Sequence, residues 1–237
     1  VGTRSVTEPY SAATFESEVL ELLPQVFAES SSSTALLSGG SMMYVDAITK
    51  GIDSMPDVPE EVRSVVWERY AAEGLDGILA ELHLLDPVYY KAVDPKNYKR
   101  VLHGYEVCLA TGRPFSSFHT GQQKARPFRI VKVGLTRDRE ELYERIDKRV
   151  ELMIEAGMVE EAQRVYPLRR LNALNTVGYK ELFSYFDGDI DFAEAVRLVQ
   201  RNSRHYARKQ LSWWRRDPEI RWFHPDAWEE IIAYIHQ

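Results

Sequence analysis

Three short apolar runs are the feature that most narrows the fold of this chain. They lie at residues 34–38, 129–135 and 221–224, and long stretches with helical periodicity separate them. Strands that alternate with helices favour an α/β fold, in which a mostly parallel sheet is flanked by helices. The sequence therefore predicts an α/β core with three strands in these runs.

The first apolar run leads into Gly39, Gly40 and Ser41, and an apolar segment follows that Gly51 could end. This order predicts a strand, a tight glycine turn and a helix. Backbone N–H groups at such a helix start, together with the Ser41 hydroxyl, suit a phosphate or a developing negative charge. A plain strand-to-helix turn is the alternative interpretation, because two glycines and a serine are not a specific signal.

A different kind of sequence runs from residue 57 to residue 123. It has helical periodicity without a convincing strand, and Asp-Pro pairs punctuate its turns. We predict that residues 57–123 form a helical insertion domain, and that residues 1–56 and 124–237 together form the α/β core. The last helix of the insertion carries Lys99, Arg100 and His103, a pattern that on its own is typical of a solvated surface.

Residues 197–216 carry seven fixed positive charges and no acidic residue, in a chain whose net charge is -6. Arg201, Arg204, Arg208 and Arg215 would share one face of a helix, where they could follow a phosphate backbone. Aromatic side chains between them could stack on unpaired bases or pack in a core. The alternative is an amphipathic helix whose arginines are simply solvated.

Two arginines one helical turn apart, Arg145 and Arg149, form a second cationic pair. One interpretation is a surface ladder, in which Glu141 pairs with Arg145 and Glu144 pairs with Lys148. The other is an anion clamp, because guanidinium groups bind phosphate oxygens in a bidentate manner. The sequence leaves both open.

Composition limits the class of protein. With 237 residues, 44% hydrophobic and 28% charged, the chain is typical of a globular protein. Cys108 is its only cysteine, which excludes an intramolecular disulfide and a cysteine-cluster metal site. No stretch reaches the roughly 18 to 20 apolar residues needed to span a bilayer, so we expect no membrane association and a cytoplasmic location. Any nucleic-acid binding should come from a focused basic surface on an acidic body.

Five motifs in this order carry a resemblance to a known family. They are residues 39–44 (Gly-Gly-Ser-Met-Met-Tyr), 59–63 (Pro-Glu-Glu-Val-Arg), 99–103 (Lys-Arg-Val-Leu-His), 175–180 (Asn-Thr-Val-Gly-Tyr-Lys) and 208–215 (Arg-Lys-Gln-Leu-Ser-Trp-Trp-Arg). The chain resembles tRNA dimethylallyltransferases over essentially its whole length. The resemblance implies a P-loop-NTPase-like fold and transfer of a dimethylallyl group from dimethylallyl diphosphate to N6 of adenosine 37, beside the tRNA anticodon.

The resemblance also implies roles for individual residues. Ser41 takes the place of a threonine that contacts the target adenosine and the reacting centre, while Gly39 and Gly40, with Arg145 or Arg149, would contact the diphosphate. The insertion would grip the anticodon stem through phosphates, and the core would contact the loop bases. The residues implied to bind the tRNA anticodon stem-loop are Arg63, Lys99, Arg100, Val101, Leu102, His103, Asn175, Thr176, Val177, Gly178, Tyr179, Lys180, Arg208, Lys209, Gln210, Leu211, Ser212, Trp213, Trp214 and Arg215.

The phosphate loop of the family, G-x-x-x-x-G-K-[ST], does not occur in this chain, and neither does the segment with its general-base aspartate. That loop would hold the diphosphate and Mg²⁺. We therefore expect a member of the family that is truncated at its N-terminus and inactive as given. Mg²⁺ is expected only in the full-length parent, itself expected to be a monomer, because no motif in this chain predicts a bound cofactor.

Two other functions stay open at this point. One is an adenylate isopentenyltransferase, which would act on free adenine nucleotides and have less use for the insertion and the basic helix. The other is a non-catalytic RNA-binding module, in which the helices from Asp138 onward bind phosphate and nothing is transferred.

Overall fold

A computed structural model describes residues 3–237 of the chain. Within that range, no helix is both long enough and apolar enough to cross a membrane. The regular elements, in chain order, are α1 (Ala12–Glu29), α2 (Met42–Thr49), α3 (Glu60–Glu73), α4 (Leu75–Leu85), α5 (Pro87–Ala92), α6 (Tyr98–Thr111), β1 (Val133–Leu135), α7 (Arg139–Glu155), α8 (Met158–Val165), α9 (Tyr179–Phe186), α10 (Phe192–Trp214), β2 (Arg221–Phe223) and α11 (Trp228–Ile235).

The chain divides into two compact units. The core unit comprises the described residues up to Thr49 together with Arg126–Gln237, and the helical unit comprises Lys50–Ala125. Every regular element of the helical unit is a helix, from α3 to α6 and a 3₁₀ turn at Phe115–Phe118. The insertion predicted for residues 57–123 lies within these bounds.

Strands β1 and β2 lie in the core unit and pair in parallel, so that Gly134 is opposite Trp222. A side chain at position 134 would collide with this neighbour, because a Cβ there would lie 2.7 Å from the Trp222 ring. The strands predicted at residues 129–135 and 221–224 both form, and each is shortened to three residues. The helix-rich α/β architecture with a small parallel sheet is as predicted.

The strand predicted for residues 34–38 is wrong. This segment forms no regular element, and no strand among the described residues pairs with it. Leu36 is 89% exposed. An apolar run becomes a strand only where a neighbouring strand satisfies its backbone groups, and that partner is not visible in a local pattern. The helix predicted after it does form, since α2 begins at Met42. Residues 39–41, called the glycine turn below, connect to it without a regular turn or bend.

Helix α2 is fixed at its C-terminal end by a buried arginine. Arg126 donates hydrogen bonds to the carbonyl oxygens of Ala47 (2.6 Å) and Ile48 (2.8 Å) and to the Glu16 carboxylate of α1 (2.6 Å). The side chains of Arg126 and Glu16 are each 7% exposed. Helix C-termini leave carbonyl groups unpaired, so a cation that binds them stabilises the end of the helix.

The charged pairs on α7 differ from the predicted ladder. Glu141 binds Arg137 rather than Arg145, and Lys148 lies 3.1 Å from Glu151 rather than beside Glu144. The spacing of four residues allows several partners, and Arg137, which precedes the helix, takes Glu141.

The core of the helical unit is formed by apolar side chains of α3, α4 and α6, including Ile78, Leu82 and Tyr105. A polar network lies at the end of the Tyr105 side chain. Arg69 donates hydrogen bonds to the Tyr105 hydroxyl (2.7 Å) and to Glu81 (2.7 Å), and the Tyr105 hydroxyl donates to Glu81. Hydrogen bonds from Arg69 and Tyr105 lower the pKa of Glu81 to about 2, from an ordinary value of 4.5.

Glu81 should make the free energy of unfolding of the helical unit depend on pH in the acidic range. Because its folded-state pKa is depressed, its contribution is fully present above about pH 4.5 and is lost as the pH falls towards 2. Glu81→Gln should flatten that part of the curve of unfolding free energy against pH. Tyr105→Phe, which removes one of the two donors, should flatten it in part. A Glu81→Gln curve that stays parallel to the wild-type curve between pH 2 and 4.5 would contradict this account.

Candidate functional site

Helix α10 is the structural centre of the core unit. It starts at Asp191, whose carboxylate accepts a hydrogen bond from the Glu194 N–H (2.8 Å), and it continues for 23 residues. One side packs against α7 and α9, and another side contacts α2. The predicted basic helix therefore forms. It contacts α7 and α9, which carry candidate site residues, and α2, which directly follows Ser41.

Three side chains of α10 hold the glycine turn and α2. The Gln210 amide (2.6 Å) and the Tyr206 hydroxyl (3.4 Å) both donate hydrogen bonds to the Gly40 carbonyl oxygen, and the Trp213 indole N–H donates to Asp46 of α2 (2.8 Å). A Cβ on Gly40 would lie 2.1 Å from the Gln210 amide nitrogen. A side chain at position 40 would therefore displace the Gln210 amide from this hydrogen bond.

An open depression of about 560 Å³ lies where α10 meets the start of α2. It brings together predicted residues of the last motif with Met42, which directly follows Ser41 in the chain. Ser41 itself is exposed. The residues that line the depression are Met42, His205, Arg208, Lys209, Ser212, Trp213 and Arg216.

The depression is cationic and has an aromatic side. Arg208, Lys209 and Arg216 place three positive charges around it, and Trp213 is 41% exposed there. Desolvation, followed by repulsion from Arg208 and neighbouring cations, lowers the pKa of His205, so its imidazole is neutral at neutral pH. Such a surface can bind phosphate oxygens and stack an unpaired base.

Sequence reasoning missed three residues of this depression as site residues: Met42, His205 and Arg216. His205 is three residues before Arg208 and four after Arg201, so helical spacing alone would have placed it on the same face. Met42 has no such signal, because its position depends on how α2 packs against α10.

The arginines of α10 do not form one free row. Arg204 is partly buried and forms an ion pair with Asp147 of α7. Its guanidinium group is therefore engaged within the protein rather than free on the predicted phosphate-binding face. Arg201, Arg208 and Arg215 are exposed. We call these three the arginine ridge.

The 175–180 loop, whose last two residues begin α9, is attached to α10 through a buried carboxylate. Glu181 accepts hydrogen bonds from the Gly178 N–H (2.7 Å) and from the Asn202 amide of α10 (2.6 Å). Gly178 has a φ of 104°, and a Cβ there would lie 2.3 Å from Met158. A side chain at position 178 would therefore be strained by the backbone conformation, and it would also displace the Met158 methyl group.

The side chains of this loop differ in exposure. Asn175, Thr176 and Lys180 are exposed, whereas Val177 and Tyr179 are half-buried. The Tyr179 hydroxyl donates to Glu161, and this hydrogen bond, with burial, raises the pKa of Tyr179 to about 12. The phenol is therefore a neutral donor that is already engaged within the protein.

The helical unit holds the remaining predicted tRNA contacts. Arg63 on α3 and the residues Lys99, Arg100 and His103 on α6 are exposed. The other two residues of the 99–103 motif, Val101 and Leu102, were predicted to contact tRNA, and the structure corrects this. Val101 is 0% exposed and Leu102 is 1% exposed, and both belong to the core of this unit. Their side chains fix α6 and are not available to RNA.

Three further predicted residues lie outside the depression. Arg145 and Arg149 are exposed on α7, and neither lines the depression described above. Gly39 is exposed, with nothing within 4 Å of the position where a Cβ would lie. Their assignment to a diphosphate stays a prediction.

Residues 3–237 contain no group of three or more His, Cys, Asp or Glu side chains that could hold a metal ion. The residues present therefore give no fit to a protein-built Mg²⁺ site, and we assign the ion to none of them.

Comparisons with known proteins agree on one family. The family model described as IPP transferase matches residues 1–217. A protein of Porphyromonas gingivalis named tRNA dimethylallyltransferase 2 is 65% identical over 96% of this chain and 75% of its own length. One of Phocaeicola vulgatus, named tRNA dimethylallyltransferase 1, is 54% identical over 100% of this chain and 78% of its own length.

A solved structure shows the same fold. The crystal structure of the full-length tRNA isopentenylpyrophosphate transferase from Bacillus halodurans aligns with a TM-score of 0.66 at 29% identity. The alignment covers 100% of this chain and 76% of that one.

Substitutions in α6 should separate the buried positions of its motif from the exposed ones. Leu102→Ala should lower the free energy of unfolding of the helical unit by about 2–5 kcal/mol, because it leaves a cavity in the core. Lys99→Ala, an exposed change three residues earlier, should stay within about 0.5 kcal/mol of wild type. Denaturant unfolding measures both, and equal losses for the two variants would argue against this division.

Proposed function

Because this chain belongs to the IPP transferase family, we propose that it acts in tRNA modification as a tRNA dimethylallyltransferase. The reaction transfers a dimethylallyl group from dimethylallyl diphosphate to N6 of adenosine 37, beside the anticodon. The observation that carries the proposal is the cationic depression on α10 beside the Gly39–Ser41 turn. The depression brings the cationic side chains of Arg208, Lys209 and Arg216 together with the Trp213 indole and the Ser212 hydroxyl.

The chemistry explains why such a surface is useful. The amino group of adenine is a poor nucleophile, because its lone pair is delocalised into the ring. A bond from N6 to the allylic carbon forms, the bond from that carbon to diphosphate oxygen breaks, and a proton leaves N6 for a base. Positive charge stabilises the departing diphosphate, and a general base contributes roughly a hundred- to ten-thousand-fold.

The residues of this chain account for recognition and positioning in that reaction. Ser41 would hydrogen-bond the target adenosine near the reacting centre, and Arg145 or Arg149 would contact the diphosphate. The phosphate loop and general-base aspartate implied by the resemblance are not among these 237 residues, so no residue here is assigned either role. The inactivity expected of the chain as given stays a prediction.

RNA binding would use both units. A target adenosine must leave its stack to react, which costs a few kcal/mol that contacts elsewhere offset. In the core unit, Trp213 and the arginine ridge can contact loop bases and phosphates. In the helical unit, the exposed cations of α3 and α6 can contact phosphates. A free adenine nucleotide is small and would have less use for cations on two units, which favours tRNA over an adenylate isopentenyltransferase.

Further parts of the proposal follow from the family. We place the enzyme in the cytoplasm, as a monomer, with Mg²⁺ accompanying the donor diphosphate. No step is assigned to the ion, because no cluster of three or more His, Cys, Asp or Glu side chains occurs in residues 3–237.

Binding to an anticodon stem-loop tests the recognition half of the proposal. This chain should bind an unmodified stem-loop that carries adenosine at position 37 more tightly than the same loop with guanosine there, across a salt series. A preference for adenosine would show that the recognition surface is formed. Equal affinity for both loops would count against the proposal for this chain. A transfer assay on the complete gene product then separates an enzyme from a non-catalytic RNA-binding module.

Arg208→Ala should weaken stem-loop binding and lower the slope of log affinity against log salt by roughly one, as expected when one phosphate contact is lost. Arg197→Ala is the matched control, since Arg197 is exposed on the same helix but already paired with Glu194 at 2.6 Å. It should leave the slope unchanged. An unchanged slope for Arg208→Ala would remove Arg208 from the phosphate contacts.

Ser41→Ala in the complete gene product should lower turnover more than tRNA affinity, because the hydroxyl acts where the reaction takes place. Single-turnover rates at saturating tRNA, together with binding constants, give the two values. An equal loss in both would show that Ser41 contributes to binding only.

A further inference from the structure

The Gln210 side chain is directed at the protein rather than at the cationic depression. Gln210 is half-buried, its amide donates a 2.6 Å hydrogen bond to the Gly40 carbonyl oxygen, and it does not line the depression. Its neighbours in the motif behave differently, since Arg208, Lys209 and Ser212 all line it. One motif therefore contains two kinds of residue, which face different sides of α10.

The contact between Gln210 and the turn is close. A single added carbon on Gly40 would lie 2.1 Å from the Gln210 amide nitrogen, so the amide would have to move to make room for it. Tyr206, one helical turn earlier, gives the same carbonyl oxygen a second donor at 3.4 Å. The backbone immediately before Ser41 is thus fixed from one side of α10.

Helix α2, which follows this contact in the chain, is held at two points. The Trp213 indole binds Asp46, and Arg126 binds the carbonyl groups at the far end of the helix. The Gly39–Ser41 turn, by contrast, is exposed at Gly39 and Ser41. The Ser41 carbonyl oxygen accepts the Val45 N–H of α2 (3.0 Å), and the hydrogen bonds to Gly40 hold the residue just before Ser41 against α10.

We infer that Gln210, supported by Tyr206, is a positioning residue: it places the Ser41 hydroxyl through the Gly40 carbonyl and does not contact tRNA. This inference rests on the proposed function, because Ser41 is the residue proposed to act at the target adenosine. It replaces the direct tRNA contact predicted for Gln210 from the motif. A displacement of about 1 Å at a reacting centre can cost on the order of a hundredfold in rate, so a positioning residue affects the rate more than the affinity.

Gln210→Met tests the inference, since methionine has similar length but no N–H donor. In this chain, backbone amide hydrogen exchange at residues 40–45 should become faster, while stem-loop affinity stays within about twofold of wild type. In the complete gene product, the single-turnover rate at saturating tRNA should fall about 10- to 100-fold.

Gln200→Met is the matched control. Gln200 lies on the same helix, is also half-buried, and donates to a backbone carbonyl, that of Asp147 (3.4 Å). The control should leave exchange at residues 40–45 and the single-turnover rate unchanged. A second variant, Gly40→Ala, should push the Gln210 amide out of its hydrogen bond with the Gly40 carbonyl and reduce the rate with the same small effect on affinity.

The outcomes separate the inference from the proposed function. Unchanged exchange in Gln210→Met overturns the inference, and so does a loss of stem-loop affinity that accounts for the whole loss of rate. Faster exchange with an unchanged rate overturns it as well. If the wild-type gene product transfers no dimethylallyl group, the proposed function fails, while faster exchange still supports the placement of the turn by Gln210.

Discussion

The packing of α10 against its neighbours is the constraint on which the candidate site depends. A helix presents a different residue every 100° around its axis, so one helix can contact several elements at once. Asn202 binds the buried Glu181 below the 175–180 loop, Arg204 binds α7, and Gln210 holds the glycine turn. The side that includes His205, Arg208 and Ser212 is the one that lines the depression.

What could be predicted from the sequence was local. The helix that follows the two glycines, and the long basic helix, depend on residues that are adjacent in the chain, and both helices form as predicted. The strand at residues 34–38 does not form, because a strand needs a partner that the local pattern cannot specify. The pair Glu141–Arg145 does not form, and the Glu141 carboxylate is instead paired with Arg137.

The inward position of some residues within the site motifs has a geometric cause. A motif of five consecutive helical residues passes once around the helix, so it must include both buried and exposed positions. Val101 and Leu102 are the buried part of the 99–103 motif, and Gln210 is the inward part of the 208–215 motif. Resemblance to a family identifies the segment, but only the packing shows which of its side chains can reach a ligand.

The length of the arginine ridge has a consequence for how it responds to RNA. At a rise of 1.5 Å per residue, Arg201 and Arg215 are separated by about 21 Å along α10. Mobile ions screen exposed charges beyond about 8 Å at physiological ionic strength. The two ends of the ridge therefore act as electrostatically independent sites, so that losses of affinity from neutralising each end add together. A strand that follows α10 would be held at separate points along its length and not by one continuous field.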